Sequence, residues 1–261
     1  MASQAKPNIV LVPGANLTPQ HYHKLQTALK HASFKVTVPS LPTDSGARPA
    51  TASLADDIRV VHDLVSSLVS QGKEVCMVMH SWGGIVGSSA IKDLTHRARA
   101  AQGQPGGVTH LVYLSAYMVR EGQKVMDIVR AAGFAELLPK VFDFDQDGTC
   151  LPVDPGAGVF SDLSKDDQDE QIQLIVPFVS AAFEERSKYA AWRDVTSTYI
   201  YMSKDMWVPT VYQDSFLKQA QEDGAEVRVE QFDRGHAMHA SHPEEIVEVV
   251  KRAIRAQQPA H

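Results

Sequence analysis

Three residues far apart in the chain, Ser81, Asp205 and His236, have the types that nucleophilic acyl transfer needs. A serine hydroxyl becomes an effective nucleophile when an imidazole takes its proton, and a carboxylate must hold that imidazole in the right tautomer. Ser81 stands in His80-Ser81-Trp82-Gly83-Gly84, after an apolar run over 75–79 and before a helical stretch. A sharp strand–turn–helix lifts such a hydroxyl clear of a sheet, and small residues two positions away on each side let strand and helix approach. Gly83 meets that need on the helix side. On the strand side the position is Met79, and small residues on the facing helix, such as Ser88 and Ala90, are expected to make room for it.

The base is sought after the last predicted strand, in Asp233-Arg234-Gly235-His236-Ala237-Met238-His239. His236, His239 and His242 compete. His236 is preferred because Gly235 beside it permits the tight approach of a catalytic loop. His242, ahead of Pro243, reads as a solvated helix start, and solvated loop histidines account for the cluster better than a metal site, since no carboxylate at ligand spacing joins it. The acid is expected after the strand over 198–202, where Asp205 stands. Glu121, after the strand over 109–114, is the rival. Two backbone N–H donors must face the developing oxyanion. They are expected from Trp82, next after the serine, and from Ala15 in Pro13-Gly14-Ala15-Asn16, with Asn16 in reach of substrate.

These residues need a sheet to carry them. Short apolar runs at 8–12, 34–38, 75–79, 109–114, 198–202 and 227–232 read as strands. Helical periodicity separates them, at 19–30, 53–70, 83–92, 211–222 and 243–256. Ser53 and Asp56 suggest a capping box for the second of these helices, with Gly72 beyond its end. Strands alternating with helices argue an α/β fold: a mostly parallel central sheet with helices on both faces. From 118 to 194 no sheet strand is evident, and the segment reads as an inserted, mainly helical cap above the strands' carboxyl ends. The core is then 1–117 with 195–261. Trp207 and the cap's Phe160 are expected to border the site, although most apolar cap residues should pack the cap onto the core.

The 261 residues are 44% hydrophobic and 21% charged, with a formal net charge of −6. Scattered basic residues exclude the electropositive stripe of a nucleic-acid binder. No apolar run reaches the ~18 residues that span a bilayer, no basic helix suggests a membrane surface, and the first residues lack an apolar signal core. Cys76 reads as a small buried hydrophobe, and Cys150 as a loop residue, with no disulfide framework. A cytoplasmic protein without cofactor or metal is expected, acting on a small molecule, with a homodimer allowed for.

The motifs resemble those of the α/β-hydrolase superfamily, in its small branch of methyl-salicylate esterases and hydroxynitrile lyases. The matching pieces, in family order, are Val10 to Ala15, Val78 to Gly84, Leu111 to Tyr117, Lys204-Asp205 with Pro209, and Gly235-His236 with Ser241 and Pro243. The resemblance implies Ser81, Asp205 and His236 as a triad, Ala15 and Trp82 as oxyanion donors, and an apolar pocket under a cap. Some related enzymes place the acid at the position of Glu121. The chain departs from the family at Pro13, where histidine is usual, and at Met79, where glycine is usual. The expected activity is hydrolysis of an ester or lactone through an acyl-enzyme. Lyases of the branch resemble one another in a lysine after the base and a threonine in the oxyanion loop, where this chain has Ala237 and Gly14. Ser81 excludes reactions that need a carboxylate nucleophile. A non-hydrolytic lyase or cyclase, or a ligand-binding receptor, on the same scaffold is the alternative.

Overall fold

The computed structural model describes residues 6–255. A six-stranded sheet in the order β2-β1-β3-β4-β8-β9 forms its centre. Its strands are β1 (Asn8–Val12), β2 (Val36–Thr37), β3 (Glu74–His80), β4 (Gly107–Leu114), β8 (Thr196–Met202) and β9 (Val227–Phe232). Every pairing is parallel. The crossovers contain α1 (His23–His31), α2 (Leu54–Ser70), α3 (Gly83–Ala90), the short α4 (His96–Ala100) and α8 (Thr210–Glu222), and α9 (Met238–Ser241) and α10 (Pro243–Arg255) follow β9.

A parallel sheet covered on both sides needs strands that are apolar throughout. In β1, Val10 and Val12 face the cluster that holds Val61, Val65 and Ile85 of α2 and α3. Ile9 and Leu11 face the other, with Leu25, Leu29, Ile246 and Val250 of α1 and α10. α3 has all eight residues buried, which is why it lacks an amphipathic pattern. α2 begins as its sequence implies: Asp56 N–H donates to the Ser53 hydroxyl, and Ser53 N–H donates to the Asp56 carboxylate at 3.0 Å.

Parallel pairing puts the carboxyl ends of β1, β3, β8 and β9 at one edge of the sheet. From β1 the chain crosses to β2 on one side, and β3 pairs on the other. The reversal opens a crevice between the ends of β1 and β3, the usual ligand position in open α/β sheets.

Four expectations need correction. The strand over 34–38 contracts to Val36–Thr37, paired only at Ile9 and Val10. The helix over 19–30 starts with a 3-10 turn, Pro19–Tyr22. Between β4 and β8, where helices and loops alone were expected, lies a second, antiparallel sheet: β5 (Phe142–Phe144), β6 (Thr149–Pro152) and β7 (Phe178–Val179). It stands among α5 (Val125–Ala131), α6 (Leu138–Val141) and α7 (Lys165–Gln173). These strands are two to four residues long, too short for alternation to register. Cys150 is in β6 and buried, not in a loop. Among the described residues no helix is long and apolar enough to cross a membrane.

Candidate active site

Ser81 closes the turn between β3 and α3 with φ of 52°, left-handed backbone that a serine adopts only when its surroundings force it. The forcing groups are close. A Cβ on Gly83 would strike the carbonyl oxygens of Val12 and Pro13, so only glycine lets α3 start this near β1. On the strand side, room for Met79 comes from Gly87, not from Ser88 or Ala90. A Cβ at 87 would sit 2.5 Å from Met79 Sδ. Ser88 instead shares a 2.6 Å hydrogen bond with the Tyr113 hydroxyl. A glycine one helical turn into α3 thus makes the room that the usual glycine at position 79 would give.

The loop after β1 is held at two consecutive anchor points. Gly14 N–H donates to Tyr22 Oη at 2.8 Å, and Asn16 N–H donates to Asp44 Oδ1 at 2.5 Å. Between them, Ala15 N–H donates to no described acceptor. Trp82 N–H, at the unpartnered start of α3, is equally uncommitted. Ala15 and Trp82 both line the same cavity as Ser81. Asn16 lines it too, but its amide nitrogen is spent on the carbonyls of Cys150 and Val176, both at 2.9 Å. Its side-chain donors therefore clamp the β4–β8 segment to the loop rather than reach for substrate.

Asp205 follows β8 and is buried. Its Oδ1 accepts the N–H groups of Trp207 and Val208, at 2.7 and 2.8 Å. Its Oδ2 accepts the Ser115 hydroxyl at 2.5 Å and His236 Nδ1 at 2.7 Å. Since a carboxylate accepts, Nδ1 carries the proton and Nε2 offers its lone pair. His236 lines the cavity with Ser81. No hydrogen bond joins the two side chains at rest, and such bonds are commonly long in unliganded sites and tighten with substrate. Glu121 is exposed and His236 Nδ1 is already paired with Asp205, so the rival acid has no place here.

Of the two rival histidines, His242 is half-buried just ahead of α10, whereas His239 is not a solvated loop residue. His239 is fully buried and stacks on Tyr22 at 4.4 Å between ring centres. His80 is also fully buried, and burial holds both imidazoles well below the usual histidine range. No group of three or more His, Cys, Asp or Glu side chains among the described residues is arranged to hold a metal ion.

Sequence reasoning missed four supporting residues: Tyr22, Asp44, Asp57 and Ser115. Asp57 accepts the indole N–H of Trp82 at 2.9 Å and both N–H and hydroxyl of Thr43. Burial pushes its carboxyl up to about 6 and that of Asp44 well above the usual range. Buried acids beside an oxyanion loop leave no periodic signature. Ser115 had a signal in its position, directly at the end of β4, and its φ of 40° is again left-handed.

The cavity and the open solvent at its mouth together make up about 660 Å³ of empty space. Apart from the groups above and Tyr117, its walls are apolar, and none carries a charged side chain; Met126 and Val129 come from α5, with Phe142, Ile175, Phe183 and Trp207. Trp207 is where it was expected. Phe160 is not: it is fully buried and stacked on His21 at 6.1 Å, and its neighbour Val159 reaches the wall instead.

A parallel six-stranded sheet carrying an elbow serine beneath an apolar cavity is the architecture of α/β hydrolases, and the chain belongs to that family: the alpha/beta hydrolase family model matches residues 9–249. Within it, the chain is 30% identical over 249 residues to "Probable hydrolase R7" of Phoma sp. (strain ATCC 20986 / MF5453), covering 94% of this chain and 97% of that one. Its fold is shared with a pyrethroid hydrolase from Sphingobium faniae JZ-2, with a TM-score of 0.75, 18% identity and coverage of 96% and 98%. It is likewise shared with the methylesterase MES16 from Arabidopsis, with a TM-score of 0.70, 20% identity and coverage of 95% and 99%. Esterases stand among the structural neighbours of this α/β-hydrolase family member.

Proposed function

We propose that the protein hydrolyses a carboxylic ester or lactone of a small, uncharged hydrophobic molecule through an acyl-serine. Ser81 Oγ attacks the carbonyl carbon while His236 Nε2 takes its proton. The oxyanion accepts the N–H groups of Ala15 and Trp82, and Asp205 stabilises the imidazolium. Collapse expels the alkoxide, which takes the proton from His236. Water then attacks the acyl carbon with His236 again as base, releasing the acid and restoring Ser81. From a lactone both halves leave as one hydroxy acid.

The observation that carries this reading is the Asp205–His236 pair, whose tautomer leaves Nε2 free on the cavity that Ser81 shares. The uncommitted N–H of Ala15, between two committed neighbours, supports the oxyanion assignment. The uncharged wall supports a neutral substrate, because an unpaired charge there would lose its hydration without compensation. A pyrethroid hydrolase and a methylesterase among the structural neighbours agree with ester chemistry. In this reading the segment 118–194 acts as a cap over a core of 1–117 and 195–261, since Met126, Phe142 and Ile175 supply wall to a site whose reactive groups lie outside it.

The test is turnover of p-nitrophenyl butyrate by the wild type and by Ser81→Ala, with mass spectrometry of the wild type after a fluorophosphonate. Turnover lost in the variant and an adduct on Ser81 are expected. Turnover unchanged in Ser81→Ala overturns the assignment, and saturable binding of esters without turnover or adduct would favour a receptor.

A further inference from the structure

A single run of hydrogen bonds passes behind the cavity and ends at His236 in its wall. Gly14 N–H donates to Tyr22 Oη at 2.8 Å. Tyr22 Oη lies 2.8 Å from His80 Nδ1, and His80 Nε2 lies 3.0 Å from the carbonyl oxygen of His236. Chemistry assigns every proton in it. A backbone carbonyl only accepts, so Nε2 of His80 bears the hydrogen. The imidazole is buried and stays neutral, so Nδ1 is a lone pair and the Tyr22 hydroxyl donates to it. The Tyr22 oxygen is then free to accept from Gly14.

We propose that Tyr22 and His80 are positioning residues, forming a neutral strut that holds the Ala15 loop, the Ser81 elbow and the His236 loop in mutual register. The proposal rests on the reading of those three segments as the acyl-transfer machinery. Each end of the strut acts on a reacting group through one covalent neighbour. Gly14 precedes Ala15, His80 precedes Ser81, and the accepted carbonyl is that of His236 itself. Space allows little slack: a Cβ on Gly14 would lie 3.0 Å from Ser81 Cβ and 3.1 Å from His80 Nδ1. The rings close the same corner, with His80 and His236 centres 4.5 Å apart and His80 and His239 centres 4.7 Å apart. Neither Tyr22 nor His80 lines the cavity, so the strut has no direct hold on ground-state substrate.

That separation makes the test specific. Tyr22→Phe keeps the ring and its packing but leaves the Gly14 N–H and His80 Nδ1 unpartnered. With p-nitrophenyl butyrate, kcat is expected to fall about ten- to a hundred-fold, the scale of misplacing a reacting group by about 1 Å. KM should stay within about two-fold, since the cavity wall is untouched. Binding of an alkyl trifluoromethyl ketone, which forms the oxyanion adduct, should weaken by the same factor as kcat/KM. His80→Gln, which keeps a donor toward the His236 carbonyl, should retain more kcat than His80→Leu. An unchanged kcat in Tyr22→Phe, or a loss carried entirely by KM with unaltered adduct affinity, overturns the proposal. Nitrogen-15 NMR of histidine side chains in the wild type decides the strut independently of activity. His80 should appear as the neutral Nε2–H tautomer from pH 5 to 8, and an Nδ1–H or doubly protonated ring there would sink it. If the wild type turns over no ester, the functional reading fails while this NMR result still stands or falls alone.

Discussion

At the level of single residues, the arrangement turns on which atoms carry protons. Asp205 accepts four hydrogen bonds and leaves no room for a donor, which dictates Nδ1–H on His236. In Asp205→Asn the amide presents an N–H to the ring, the imidazole changes tautomer, and Nε2 can no longer accept from Ser81. Loss of about 10⁴-fold in kcat is expected for that reason, the scale known for the same change in a serine protease. The fluorophosphonate rate constant measures it, and a variant labelled at the wild-type rate would contradict the acid's role. Ser81 and His236 were legible from sequence because one sits at a strand–helix junction and the other beside a glycine in a loop after the last strand. Tyr22 was legible only as a helical core position. Its hydroxyl gained a purpose when β1 and β3 came together.

At the level of elements, the sheet positions the chemistry and two helix starts refine it. Gly87 and Met79 are a matched pair across β3 and α3. Gly87→Ala should destabilise the protein by about 1–3 kcal/mol through overpacking, despite alanine's better helix propensity. Met79→Ala should cost stability alone by opening a cavity, yet the double variant should recover most of the Gly87→Ala loss. A urea-denaturation cycle over the four proteins reads the coupling, and strict additivity would show that the two side chains do not share the space. Helices and strands with a hydrophobic period were readable. The antiparallel sheet β5-β6-β7 was not, because its third strand joins from 26 positions beyond the second and each strand is shorter than one clear alternation.

At the level of the whole molecule, buried histidines make the fold sensitive to acid. Burial holds His80 and His239 well below the ordinary histidine value and His21 and His110 at about 4. The unfolded chain binds protons at these rings from about pH 6.5 downward while the folded chain does not, so stability falls as pH falls. Asp44 and Asp57 work in the opposite sense. Their carboxyls are held above the ordinary value, so the fold takes up their protons first and gains stability as pH falls toward about 4. Four histidines against two acids leave a net loss of stability as pH falls from about 6 to 4.5. The urea midpoint should therefore drop steeply below pH 6, and a flat midpoint from pH 7 to 5 would contradict the neutral buried rings.

The chain by itself determined the parallel α/β architecture, the elbow at Ser81 and the loop bearing His236, because periodicity and turn chemistry act between near neighbours. Only the tertiary structure decided that Asp205 rather than Glu121 faces His236, that the Asn16 amide nitrogen clamps the β4–β8 segment, that Phe160 is packing, and that Gly87 makes room for Met79. Each of these is a meeting of side chains brought together by strand order, and strand order follows from how the whole apolar surface is buried.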